Sequence, residues 1–448
     1  MNIKKLSAAL IAAAMLLPSF GAYADDDDVE YDGDSELVLS GWYQSPEDGS
    51  RSYYSDGQPV SGLYEINGKY YLFSESGILL TDTWYETDEA KYYFGSSGRA
   101  LTGRQIIDGE EYTFDKTGAY LCQHKNSDYV KLSDNIYTYD EMTEDITRLA
   151  KRYPDACSVS VIGTTADGRN IYDILLGNPY AEKQLVITAS CHAREYMTSL
   201  LVMEQLEYCL NGLYTKDYKD ISYKELFDNC AVHFIPMINP DGVTISQFGK
   251  DGINDEVLRS NVYEMYQNAV EWGYSTLSEN DYYKRWKANA LGVDLNRNFD
   301  GRWETVETLN GPVGWNYKGE YPESESESIA VTSLIRSLSN PVSVVSYHAT
   351  GSVLWWDYGQ TDEYREMCER QRDVVTKLTG YSAKPADLSS AAGLSDWIIS
   401  EYYGSTVPET IEIGVNAAPL EASEYKNIRK KNIKIVPALA YLYYDTEE

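Results

Sequence analysis

The chain has 448 residues, enough for at least two compact units and a large core. Its 70 Asp and Glu against 38 Lys and Arg give a formal charge of −32, which argues against nucleic acid or any other polyanion as a partner. Tyrosine is the odd component, 41 residues against 8 Phe, and implies abundant amphipathic aromatic surface.

The chain opens with Lys4 and Lys5, an apolar stretch from Leu6 to Leu17, Pro18, and the small-x-small run Ala22-Tyr23-Ala24. This pattern predicts a secretory signal peptide over residues 1–24, since the apolar run is too short to span a bilayer, and no later stretch predicts a transmembrane segment. Export to the outside of the cell is therefore expected. Residues 25–40 carry eight acids and no base and read as a solvated leader. A calcium site is the sharper reading of this run, but it lacks ligand spacing around a glycine turn.

Residues 41–122 repeat at about twenty residues per unit. The units begin near Gly41-Trp42, Gly62-Leu63-Tyr64, Trp84-Tyr85 and Gly103, and each carries paired aromatics before a glycine turn. Alternating aromatics suit pleated strands, so stacked short β-hairpins are predicted. The pattern resembles the cell-wall-binding repeats of the choline- and glucan-binding type on secreted proteins of Gram-positive bacteria, which implies a cell-wall polymer as partner and a wall-associated location. The same rings could instead serve only to glue hairpins together, and two indoles, Trp42 and Trp84, are few for choline cages.

From about Tyr129 strands and helices alternate, which predicts an α/β domain over 129–448 with a mixed, largely parallel sheet sandwiched by helices. Thr138 to Glu141 reads as a helix start with a capping box, Leu185–Ser190 as a strand, Met197–Leu210 as a helix and Ala231–Ile238 as a strand. The six cysteines include no CxxC pair and do not form a disulfide scaffold; Cys191 and Cys209 read as buried thiols.

His192 and Glu195 follow a strand directly, three residues apart, and supply two of the three protein ligands of a catalytic zinc. Of the four histidines, His124 lies at the repeat junction and His233 inside an apolar strand, where a structural role is expected. That leaves His348, at the end of a β-rich run, as third ligand. Hydrolysis also needs a base, and Glu412 in the apolar run Thr410-Ile411-Glu412-Ile413 is the candidate, although a surface acid on an edge strand is an open reading.

These residues resemble the zinc metallocarboxypeptidases of the carboxypeptidase A type, the M14 peptidases. Matches run in order through His192-x-x-Glu195, Asn239-Pro240-Asp241-Gly242, Gly292-Val293-Asp294-Leu295-Asn296-Arg297-Asn298-Phe299, His348, Asp396-Trp397 and Thr410-Ile411-Glu412. The resemblance implies one Zn²⁺ per chain on His192, Glu195 and His348, and Glu412 as general base. It also implies that Asn296 and Arg297 grip a terminal carboxylate, and that Arg194 lines the next subsite or supports a ligand carboxylate. The family's electrophilic arginine follows a tryptophan; here Trp286 is flanked by Arg285 and Lys287, and either could take that role. The family's capping tyrosine would fall near Leu388, with Tyr381 a poor substitute, and Ser395 would form the floor of the side-chain pocket. The runs around Trp286, Asn239 and Ser346 look closer to the bacterial branch that includes γ-D-glutamyl-diaminopimelate peptidases, and this resemblance implies a peptide or a peptidoglycan stem peptide as substrate. An adhesion protein with an inactive peptidase domain is the rival from another class.

Overall fold

The structure is a computed structural model that describes residues 40–108, 110–124, 127–132, 136–386 and 392–444. The expected signal peptide, and all but the last residue of the acidic leader, lie outside the described residues. The chain divides into two compact units, residues 1–124 and 125–448.

The first unit is a row of antiparallel hairpins. Strands β1 (Gly41–Gln44), β2 (Arg51–Ser55) and β3 (Gln58–Pro59) form one, β4 (Gly62–Ile66) with β5 (Lys69–Phe73) the next, and β6 (Thr83–Glu86) with β7 (Lys91–Phe94) a third. Strands β8 (Gly103–Ile107), β9 (Glu110–Phe114) and β10 (Tyr120–His124) close the row. Asn67 and Gly68 both have positive φ, 52° and 73°, the type I′ geometry that matches strand twist in a two-residue hairpin. Backbone bonds from Leu79 to Arg51 and from Ala100 to Tyr70 tie successive hairpins together.

Two aromatic boxes recur along this row. Trp42 meets Tyr53, Tyr71 and Phe73 with ring centroids 5.0–5.9 Å apart, and Trp84 meets Tyr93, Tyr112, Phe114 and Tyr120 at 5.1–5.9 Å. The rings pack on one another, as the gluing role requires. Arg51 lies 4.6 Å from the Trp42 ring centre and Lys91 4.8 Å from that of Trp84, so each indole face already carries a cation of the chain.

The second unit is built on an eight-stranded sheet. Its strands are β11 (Cys157–Thr164), β12 (Asn170–Leu176), β13 (Lys183–Thr188), β16 (Cys230–Ile235), β17 (Pro341–Ala349), β18 (Val353–Asp357), β19 (Ser382–Pro385) and β20 (Val407–Ile413). The pair β14 (Asp217–Tyr218) and β15 (Ile221–Ser222) is a separate ribbon. The order is β11-β12-β16-β13-β17-β20-β18-β19; the central pairs β16/β13, β13/β17 and β17/β20 are parallel, while β11/β12, β12/β16 and β20/β18 are antiparallel. The expected mixed, largely parallel sheet is thus present. Leu185, Ile187, Val345 and Tyr347 pack on one face with the helix Met197–Gly212, whereas Val186 and Val344 pack on the other with Val331 and Trp397. This period of two along wholly buried strands is what a sheet covered on both sides demands.

Several boundaries shift. The strand predicted to reach Ser190 ends at Thr188, and Ser190 turns the chain with φ of 49°. The strand predicted to reach Ile238 ends at Ile235, before Pro236, which has no N–H to continue the ladder. The helix Tyr139–Arg152 starts on the expected capping box of Thr138 and Glu141. The unit also begins earlier than Tyr129, because Ser127 donates its N–H and hydroxyl to Asn211 at 2.9 Å each. Five described cysteines, Cys157, Cys191, Cys209, Cys230 and Cys368, are buried free thiols. No described helix is long and apolar enough to cross a membrane.

Candidate active site

The site lies at the C-terminal ends of the parallel strands, where loops leave the sheet. After β13 the left-handed Ser190 redirects the chain, and its hydroxyl meets those of Thr198 and Ser199 at 3.1 and 2.7 Å. His192 is extended, Ala193–Glu195 form a single helical turn, and the helix Met197–Gly212 follows. Asn239 fastens this loop: its carboxamide caps the helix Pro240–Phe248 through the Gly242 N–H and donates to the carbonyls of Cys191 and Ala288 at 3.2 and 3.0 Å. A Cβ on Gly242 would stand 2.3 Å from the Ala288 oxygen, so the Asn-Pro-Asp-Gly run needs glycine there. Ala193 N–H in turn donates to the Lys287 carbonyl at 3.1 Å.

Three donors converge. His192 Nδ1 lies 2.9 Å from Glu195 Oε1, His348 Nδ1 lies 3.0 Å from Glu195 Oε2, and the two Nδ1 atoms are 3.1 Å apart. All three residues are buried. Tetrahedral ligands of zinc at 2.0–2.1 Å stand about 3.3 Å from one another, so these spacings fit that ion. Two imidazole nitrogens and a carboxylate turned toward one point are a donor set suited to a divalent cation. Burial opposes the charge on Glu195, but His192 and His348 overcome it and hold the carboxyl well below its usual range, ready for a dication.

Asp294, fully buried, joins the ligands to the neighbouring loop. Its Oδ1 lies 3.3 Å from His192 Nε2, and its Oδ2 accepts from Lys287 Nζ at 3.0 Å and from the Asn316 N–H at 3.1 Å. Burial alone would raise its carboxyl; Lys287 and His192 keep it far below the ordinary value. Of the two cations left open by the sequence, the structure therefore brings Lys287 to the site. Arg285 is exposed at the end of the helix Glu279–Lys284, and its contribution is a backbone carbonyl that faces Arg194 Nη1 at 3.4 Å.

Glu412 does not lie on an edge. Strand β20 runs between β17 and β18, and Glu412 is in register with His348 on one side and Val353 on the other. Burial pushes its carboxyl up to about 7; the Glu195 charge adds to this, while His348, Lys287 and a hydrogen bond with Trp355 oppose it. One of its oxygens, Oε2, is buried without a partner.

Arg297 and Arg194 each bury an Nε with no partner, and Arg297 Nη1 donates to the Asn296 carbonyl at 3.0 Å. The Asn296 carboxamide rests against the backbone of Gly393, beside the helix Leu394–Glu401. Ser395, in that helix, is buried with its hydroxyl 3.0 Å from Thr410 Oγ1. Residues 387–391, where the capping tyrosine would fall, lie outside the described residues. Tyr381 is buried with its hydroxyl accepting from Asn432. His233 is structural as expected, with Nδ1 2.9 Å from Asp173. The sequence reading missed the linking role of Asp294, although the residue stands in the quoted motif, and gave no signal for Trp355.

Residues 142–412 match the family model described as zinc carboxypeptidase, the M14 peptidases. Over 311 residues the chain is 30% identical to gamma-D-glutamyl-L-diamino acid endopeptidase 1 of Lysinibacillus sphaericus, covering 68% of this chain and 72% of that protein. It is 26% identical over 221 residues to mast cell carboxypeptidase A of Homo sapiens, covering 48% of this chain and 45% of the relative. The crystal structure of thrombin-activatable fibrinolysis inhibitor shares the fold, with a TM-score of 0.55 and 18% identity over 71% of this chain and 80% of that one.

Proposed function

Because this chain belongs to the M14 zinc carboxypeptidase family, we propose that it is an exported zinc peptidase that hydrolyses bonds next to a residue with a free carboxylate, and that its substrate is a peptidoglycan stem peptide. The observation that carries the enzymatic reading is the convergence of His192, Glu195 and His348 beside Glu412. An inactive adhesion domain would have no need of that set.

His192, Glu195 and His348 would hold the zinc, whose Lewis acidity at that point polarises a carbonyl and acidifies a water. Asp294 fixes the His192 ring by facing its Nε2, so that Nδ1 points into the site. Glu412, with an unpartnered oxygen and a carboxyl raised toward neutrality, takes a proton from the attacking water and returns it to the leaving amine. Lys287, held by Asp294, takes the place of the family arginine beside the scissile carbonyl. Arg297 and Asn296 anchor the terminal carboxylate, and Arg194 lines the next subsite; their buried, unpartnered guanidinium nitrogens suit an anion.

The Lysinibacillus relative supports the stem-peptide substrate, and so does the row of aromatic hairpins, which we assign to wall attachment. A wall anchor raises the local substrate concentration without altering the site. Cations already lie over Trp42 and Trp84, so a glycan suits these boxes better than choline. The Asn296–Arg297 pair would also suit the free C-terminal carboxylate of an ordinary peptide. Mass spectrometry of products from defined muropeptides and from a mixed peptide pool decides: cleavage after γ-D-glutamate supports the proposal, and loss of C-terminal residues from ordinary peptides alone replaces it.

A further inference from the structure

Ser395 is neutral, but charge is built in directly beside it. The segment Gly301–Arg302 lies on the start of the helix Leu394–Glu401 so closely that a Cβ on Gly301 would stand 2.4 Å from the Asp396 and Trp397 backbone. Arg302 is held there at φ of 65°, a conformation that non-glycine residues adopt at a cost. Its Nη1 lies 3.4 Å from Asp396 Oδ1, and its Nη2 donates to the Tyr358 carbonyl at 3.4 Å. Asp396 Oδ2 accepts from the Gly393 N–H at 3.0 Å.

This ion pair adjoins the substrate side of the site. Thr410 lies two residues before Glu412 on the same face of β20 and meets both Ser395 and the Tyr358 hydroxyl, at 3.0 and 2.9 Å. Arg297 is near enough for its charge, like that of Arg302, to act on Asp396. The Arg302 side chain is 26% exposed, and its 3.4 Å contact is longer than the 2.7–2.9 Å of a tight charge-assisted bond. Both signs thus lie together next to Ser395, the residue expected at the floor of the side-chain pocket.

We propose that Arg302 and Asp396 together read the side chain of the substrate's terminal residue and select one that ends in both a carboxylate and an ammonium, a diamino diacid. The carboxylate meets the guanidinium of Arg302 and the ammonium turns to Asp396. A side chain with one charge satisfies one partner and leaves the other unmatched, which costs affinity. This assignment rests on the stem-peptide reading above and specifies how that substrate is told from its analogues.

The test compares kcat/KM of the zinc-loaded protein on γ-D-glutamyl-meso-diaminopimelate, γ-D-glutamyl-L-lysine and γ-D-glutamyl-L-glutamate. The wild type prefers the first by about tenfold or more over either analogue. In Arg302→Gln that ratio falls toward one, and Arg302→Lys restores part of it, with melting temperature as the check on folding. Equal rates of the wild type on the three substrates overturn the proposal and leave the stem-peptide reading intact. A loss in Arg302→Gln that falls equally on all three makes the residue merely structural and overturns it as well. A wild type that cleaves only α-linked peptides overturns the stem-peptide reading and this proposal with it.

Discussion

His348 and Glu412 occupy one rung of the parallel pair β17/β20, so a metal ligand and the base project from neighbouring strands onto the same face of the sheet. Rigid strands fix their separation better than loops would. Glu412→Gln keeps the shape but loses the proton acceptor, and turnover is expected to fall by about two to four orders of magnitude. Zinc content by metal analysis should be unchanged. A Gln variant that binds zinc and retains full turnover removes Glu412 from the role of base.

Asp294 faces His192 Nε2 with one oxygen and Lys287 with the other. Asp294→Asn should weaken zinc binding about 10- to 100-fold, because the ring loses its anionic neighbour and Lys287 its counter-charge. Competition with a chromophoric chelator measures this. Unaltered affinity would mean that His192 is oriented by packing alone.

The zinc ligands were legible because each follows a β-rich run: strand ends are local features, and His192-x-x-Glu195 needs a single helical turn to converge. Glu412 was legible as an acid inside an apolar run. The choice between Arg285 and Lys287 was not, since it depends on which of them faces Asp294, seven residues beyond Lys287 and brought back by the bonds of the Lys287 and Asp294 backbones to Gly314 and Tyr317. Trp355 reaches Glu412, and Arg302 reaches Asp396, by packing between distant elements, which leaves no periodic trace. In the hairpin unit the repeat length was plain, whereas the cations over Trp42 and Trp84 emerge only when strands pair.

Arg297 buries an unpartnered Nε and can meet both oxygens of a terminal carboxylate. Arg297→Met should lower kcat/KM on a free-acid substrate by about a hundredfold, the loss of charge-assisted hydrogen bonds. The wild type should suffer a comparable drop on the C-terminal amide, and the variant little further. If the variant still discriminates acid from amide as the wild type does, the anchor lies elsewhere.

Glu409 is the buried acid of β20 that points away from the site. Gln371 Nε2 donates to its Oε2 at 3.0 Å, and Oε1 has no partner. Burial pushes its carboxyl up to about 8, against the opposing bond from Gln371 and the charge of Arg372. An unfolded glutamate titrates near about 4.3. The unfolded chain therefore releases this proton first, and stability linked to neutral Glu409 is complete below about 4.3 and is lost as the pH rises to about 8. Glu409→Gln abolishes that dependence, so denaturation at pH 5 and at pH 8.5 should show the variant gaining on the wild type by on the order of a few kcal/mol at the higher pH. Wild-type and variant stabilities that run parallel between the two pH values would show that Glu409 ionises in the fold as readily as in the unfolded chain.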